Sequence, residues 1–146
     1  MVNTRQKGMM LANWIADQIV AKGIDPKARA DGASGAGNRE KADISTSMRI
    51  LGSNAGIEAK NQAVIHMSDW WKQTKKLEVL GCEPVLVYKE FGEPLEDSKA
   101  VIYLDTLLEL IKNQKGNIER QYTDTRQRER DNAIEQIIQA VKVLEK

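Results

Sequence analysis

The sequence predicts an α/β fold: a mixed central sheet flanked by helices, with a further helix added at the C-terminal end. Three observations carry this expectation. Apolar residues recur at three- and four-residue intervals in several stretches, the period of a helix with one buried face. Short β-prone runs bounded by Gly, Pro, Asn and Asp lie between them, as strands do. The two kinds of segment alternate along the chain, an order that builds a sheet with helices against it.

Taken in order, Arg5–Lys22 reads as the first helix, with Leu11, Trp14, Ile15 and Ile19 on one stripe and Gly23 as its stop signal. Trp14 is most simply a core residue. Ala28–Asp31 reads as a short strand, followed by a loop containing Gly32-Ala-Ser-Gly-Ala-Gly-Asn. Neither a P-loop nor a dinucleotide fingerprint is present there, so no nucleotide site is expected. Ala42–Met48 alternates small or apolar residues with polar ones and reads as a half-buried strand. Gly52-Ser53-Asn54 is a turn signal, and Gly56–Lys60 follows as a second strand. His66–Leu80 reads as a helix with Trp70, Thr74, Leu77 and Leu80 on one stripe, and Ser68 or His66 as its cap. The tryptophans there are expected as core or dimer contacts before base-stacking platforms. Gly81–Pro84 is a turn, Val85–Lys89 a strand, Glu90–Lys99 an acidic loop or hairpin, and Ala100–Leu104 a strand. Asp105 is placed to cap a helix over Thr106–Lys112. Asn113–Asp124 is polar and reads as a linker. Thr125–Lys146 reads as a final amphipathic helix, its stripe made by Ile134, Ile137, Ile138, Val141 and Leu144. That helix either packs on the domain or pairs with a second chain.

The 146 residues suffice for one domain with a sizeable core. With 29% charged and 41% hydrophobic residues, the composition is that of a soluble globular chain. No apolar run approaches the roughly 20 residues of a membrane span, and MVNTRQKG carries no hydrophobic signal region. Cys82 is the single cysteine, which excludes an internal disulfide and a cysteine zinc site. A cytoplasmic location and no membrane partner are therefore expected. Net charge is +1, but residues 1–76 hold 12 Lys/Arg against 7 Asp/Glu, and residues 77–146 hold 10 against 14. The basic half suits phosphate neutralisation.

Chemistry concentrates in Lys41–Gln62. On the second strand Glu58 and Lys60 project the same way, because side chains alternate. Strand pairing can bring Asp43 beside them. Two carboxylates are oxygen ligands suited to a hard cation such as Mg²⁺, and an adjacent lysine can orient a water and neutralise a scissile phosphate. The bland alternative is a turn aspartate and a solvated strand face. Lys7-Gly8 at the head of the first helix is either a phosphate contact or an exposed terminus. Ser34, Asn38, Arg39 and Lys41 are phosphate contacts if the glycine-rich loop closes over DNA, and ordinary surface residues if it does not. Gln62 and Gln73 are candidate polar contacts near the site. His66, the lone histidine, is expected to be structural.

Asp43 followed by Glu58-Ala59-Lys60 resembles the Asp…(Asp/Glu)-x-Lys signature of the PD-(D/E)XK nuclease superfamily. The similarity extends over about residues 5–105 and is greatest to Holliday junction resolvases of the archaeal and phage type. Lys7-Gly8 opens the first helix, Ser34-Gly35-Ala36 precedes the aspartate, and Gly81-Cys82-Glu83-Pro84 leads into the valine-rich strand Val85–Val87. The resemblance implies a restriction-endonuclease-like core over 1–112, with 113–146 as linker and added helix. It implies a Mg²⁺-dependent endodeoxyribonuclease, with Mn²⁺ able to substitute. Asp43 and Glu58 would ligate the metal, Lys60 would position water, and Ser34 would contact the phosphate or assist the site; Lys7, Asn38, Arg39, Lys41 and Gln62 join Ser34 as the candidate DNA contacts. It further implies a homodimer that cuts opposed strands of a four-way junction in a bacterial, archaeal or phage-infected cell. General or branched-DNA cleavage, and DNA binding with weakened catalysis, are the alternatives. In one respect the chain departs from the family pattern. A glutamate of the first helix usually completes the metal site, and Ala12-Asn13 stands here; Asn13, Asp17 or Glu40 are the candidate substitutes.

Overall fold

A computed structural model describes residues 3–32 and 41–144. The chain divides into two compact units, Met1–Leu104 and Asp105–Lys146.

Helix α1 spans Thr4–Ala21. Asn3 and Gln6 form a capping box: the Gln6 N–H donates to Asn3 Oδ1 (2.8 Å) and the Asn3 N–H to Gln6 Oε1 (3.1 Å). The expected stripe is the buried one. Leu11, Ile15 and Ile19 enter the core with Ala12 and Ala16, and Trp14 packs against them partly buried.

Two short strands, β1 (Arg29–Ala30) and β2 (Ile44–Ser45), pair antiparallel beneath α1. A four-stranded mixed sheet follows, in the order β3 (Arg49–Ile50), β4 (Ser53–Asn61), β5 (Cys82–Lys89), β6 (Lys99–Val101). The outer pairs are antiparallel and β4–β5 is parallel. A parallel pair needs a crossover, which α2 (Met67–Lys75) and the 3₁₀ turn Lys76–Leu80 supply. Trp70, Thr74 and Leu77 are the buried side of that crossover, whereas Leu80, expected on the same stripe, is exposed. The turn approaches β4 so closely that a Cβ on Gly56 would lie 2.9 Å from Cys82 Cβ and 3.0 Å from Leu77 Cβ. Gly56 is therefore fixed by packing.

The expected single strand over Ala42–Met48 is reduced to β2, with a bend at Asp43 before it and Thr46–Met48 outside any strand after it. The Asp25 carboxylate is the reason. It accepts from Thr46 Oγ1 (2.8 Å) and from the N–H groups of Ser47 (2.7 Å) and Lys27 (2.9 Å). The backbone at Ser47 thus bonds a buried side chain in place of a strand ladder. These donors, the Ser47 N–H foremost, hold the Asp25 pKa down at about 2. The hairpin turn also shifts: Leu51-Gly52 is the turn, and Ser53 and Asn54 already pair in β4.

The described residues of the second unit all belong to one helix, α3, which runs Leu104–Leu144 without a break. The linker expected over residues 113–124 is helical. Its polar residues, Gln, Lys, Glu and Arg, are good helix formers, and its one glycine, Gly116, costs only about 1 kcal/mol against alanine. Asp105, expected to precede this helix as its cap, lies within its first turn. No helix among the described residues is long and apolar enough to cross a membrane.

Candidate active site

Ile57 and Ala59 of β4 lie in the apolar core, and Glu58 and Lys60 alternate with them. β3 pairs only with the start of β4. Further along, Asp43 docks against the strand. Its N–H donates to the Ile57 carbonyl (2.9 Å), and the Ala59 N–H donates to Asp43 Oδ2 (2.8 Å). The Asp31 N–H donates to the Asp43 carbonyl (2.7 Å), tying the end of β1 to the same point. Asp43 is therefore fixed by backbone bonds on both sides, and its carboxylate faces the β4 residues that the sequence singles out.

Glu58 is 5% exposed. Its carboxyl is hydrogen-bonded to Asp43, and its Oε2 lies 3.5 Å from Lys60 Nζ. Burial, and then the negative charge of Asp43, push the Glu58 pKa up to about 7 against the opposing pull of Lys60. Lys60 Nζ also donates to Gln73 Oε1 of α2 (3.0 Å), which holds the ammonium beside the Glu58 carboxylate. The side chains of Asp43, Glu58, Lys60 and Gln73 thus form one connected polar network.

That network borders a cleft of about 240 Å³ between α1 and the end of β4. Asp43, Ala59, Lys60, Asn61 and Gln62 line one side, Arg5, Gly8, Met9 and Ala12 of α1 another, and Asp31-Gly32 complete it. Asn61 Nδ2 donates to the Lys7 carbonyl (3.1 Å), which anchors the end of β4 to the head of α1.

The structure brings together Asp43, Glu58, Lys60 and Gln62 of the sequence-predicted set. The Lys7 backbone joins them, but its ammonium lies 5.8 Å from the centre of the Phe91 ring. Lys41 is exposed and outside the cleft lining, as are Asn13 and Asp17. Of the Ala12-Asn13 turn, where the resembled family carries an acid, Ala12 is buried and reaches the cleft, while Asn13 turns to solvent. Ser34, Asn38, Arg39 and Glu40 lie outside the described residues. Sequence reasoning missed Asp31 and Arg5. Asp31 directly follows a strand of two residues, and Arg5 sits in the first turn of α1. The approach of α1 to β4 makes Arg5 a neighbour of the site and the backbone bond to Asp43 does the same for Asp31, and the one local signal was their charge.

Asp43 and Glu58 form an oxygen-only donor pair of the kind that takes Mg²⁺ or Mn²⁺. The fit rests on their contact: the two carboxyls are hydrogen-bonded to one another, close enough for one cation to face both. Among the described residues no cluster of three or more acidic, histidine or cysteine groups is assembled for a metal. No protein-family model, curated protein or solved structure matches the chain.

Proposed function

We propose that this chain is a metal-dependent endonuclease that hydrolyses DNA phosphodiester bonds, acting as a homodimer on opposed strands of a four-way junction. The observation that carries the reading is the convergence of Asp43, Glu58 and Lys60 in one polar network beside the cleft, a spacing and chemistry that resemble the PD-(D/E)XK signature. Asp43 and Glu58 would hold the cation. When bound, it would lower the pKa of a water and balance charge on the leaving oxygen. Lys60, steadied by Gln73 and Glu58, would orient the attacking water and meet the scissile phosphate. The water oxygen would bond to phosphorus as the bond to the leaving oxygen breaks, and the leaving oxygen would take, net, the proton that the water gives up. Arg5 and Gln62 sit where neighbouring phosphates would pass.

The Ala12-Asn13 turn favours a second reading. A cleft that lacks the helix acid of the resembled family has less charge with which to hold a metal, and suits a DNA-binding protein with weakened cleavage. The test is a labelled four-way junction and a linear duplex of the same sequence, each with Mg²⁺ and with chelator, against wild type, Asp43→Ala and Lys60→Ala. Paired cuts on the junction that need metal, Asp43 and Lys60 support the resolvase. Equal cutting of duplex moves the reading to a general nuclease. Tight binding without cuts in Mg²⁺ or Mn²⁺ supports the binding protein.

A further inference from the structure

Helix α3 carries an apolar stripe that nothing in its own unit covers. Ile111, Tyr122, Ala133 and Leu144 recur at eleven-residue intervals. Leu104 and Ile137 share one position of that repeat, and Leu108 and Val141 another. An eleven-residue period corresponds to about 3.67 residues per turn, so these residues hold one line along the helix. The six aliphatic residues of this line are between 47% and 85% exposed. A lone helix draws most of its stability from packing such a face.

Length decides what can cover it. At about 1.5 Å per residue, the 41 residues of α3 extend about 60 Å. A domain of about 100 residues is only about 35 Å across, too short to shelter both ends of the stripe. A second α3 has the matching length. The stripe is apolar at its two ends and charged at its middle, where Lys115, Glu119, Arg126 and Arg130 lie on the same line. A parallel, in-register pair would set each of these charges against itself. An antiparallel pair crossing near residues 123–124 sets Glu119 between the partner's Arg126 and the partner's Arg130. It also lays the Leu104–Ile111 end along the partner's Ile137–Leu144 end.

We infer that α3 is a dimerisation helix that pairs antiparallel with α3 of a second copy of this chain. Opposite charges meet at the centre of the pair and aliphatic residues at both ends. The inference stands on α3 alone and holds whether or not the cleft cuts DNA.

Sedimentation of the full chain at about 100 µM tests the pairing. Twice the 16.4 kDa mass of one chain is expected. The double variant Ile137→Asp/Val141→Asp is expected to run as a monomer. Its tryptophan fluorescence should stay unchanged, because Trp14, Trp70 and Trp71 all belong to the other unit. A spin label on Lys142→Cys, in a Cys82→Ser background, tests the direction. The antiparallel pair predicts a label separation of about 55 Å. A monomeric wild type, a dimer that survives the double variant, or a separation under about 25 Å would each overturn the inference.

Discussion

Replacing Glu58 by glutamine removes the most strained ionisation in the cleft, and stability measures the effect. Glu58 is buried beside Asp43, and its pKa moves from 4.5 in the unfolded chain to about 7 in the fold. Between those values the folded protein keeps a proton that the unfolded chain releases. Wild-type stability therefore falls as pH rises from about 4.5 to 7, then levels off. A shift of this size corresponds to about 3 kcal/mol once both states are ionised. Glutamine keeps the shape and does not titrate. Urea unfolding of wild type and Glu58→Gln, from pH 5 to 8 in chelator, gives the difference directly. The variant should gain on wild type by about 2 kcal/mol from pH 5 to 8. A difference that stays flat across this range would refute the claim that burial and Asp43 oppose the Glu58 charge. Adding Mg²⁺ at pH 8 should then narrow the gap, because a cation that binds the folded state stabilises it.

Asp25→Asn should lower the urea midpoint at pH 7. The Asp25 contribution is fully present above about 3.8 and is lost as pH falls toward about 2, so the gap to wild type should close over that window. Gly56→Ala should cost about 1–3 kcal/mol in the same assay, since the new methyl meets Cys82 and Leu77. Lys60→Ala should reduce junction cleavage by at least about 100-fold. Gln73→Ala should reduce it less, because Gln73 steadies Lys60 and leaves the charge in place.

The parts of this molecule legible in its sequence are those set by local pattern. The α1 stripe, the crossover helix, the β4 alternation and the β5 strand follow from periodicity, and the three-residue Glu58-Ala59-Lys60 frame follows from the pleat. What was not legible is set by long-range contacts. Asp25 reaches Ser47 across the chain and breaks an otherwise strand-like run. Asp31 joins the cleft through a backbone bond to Asp43. Residues 113–124 look like a linker because they are polar, yet polarity does not stop a helix that has no proline. The Lys60–Gln73 bond was legible only as proximity, since its geometry depends on how α2 crosses β4.

Metal binding tests the central claim most directly. Titrating Mn²⁺ or Mg²⁺ into the full chain at pH 8 by calorimetry should reveal one divalent ion per chain. Binding should be lost in Asp43→Ala, sharply weakened in Glu58→Gln, and kept in Lys60→Ala. Binding that is indifferent to Asp43 and Glu58, or no binding at millimolar metal, would contradict the reading of this cleft edge as a metal-dependent phosphodiesterase centre.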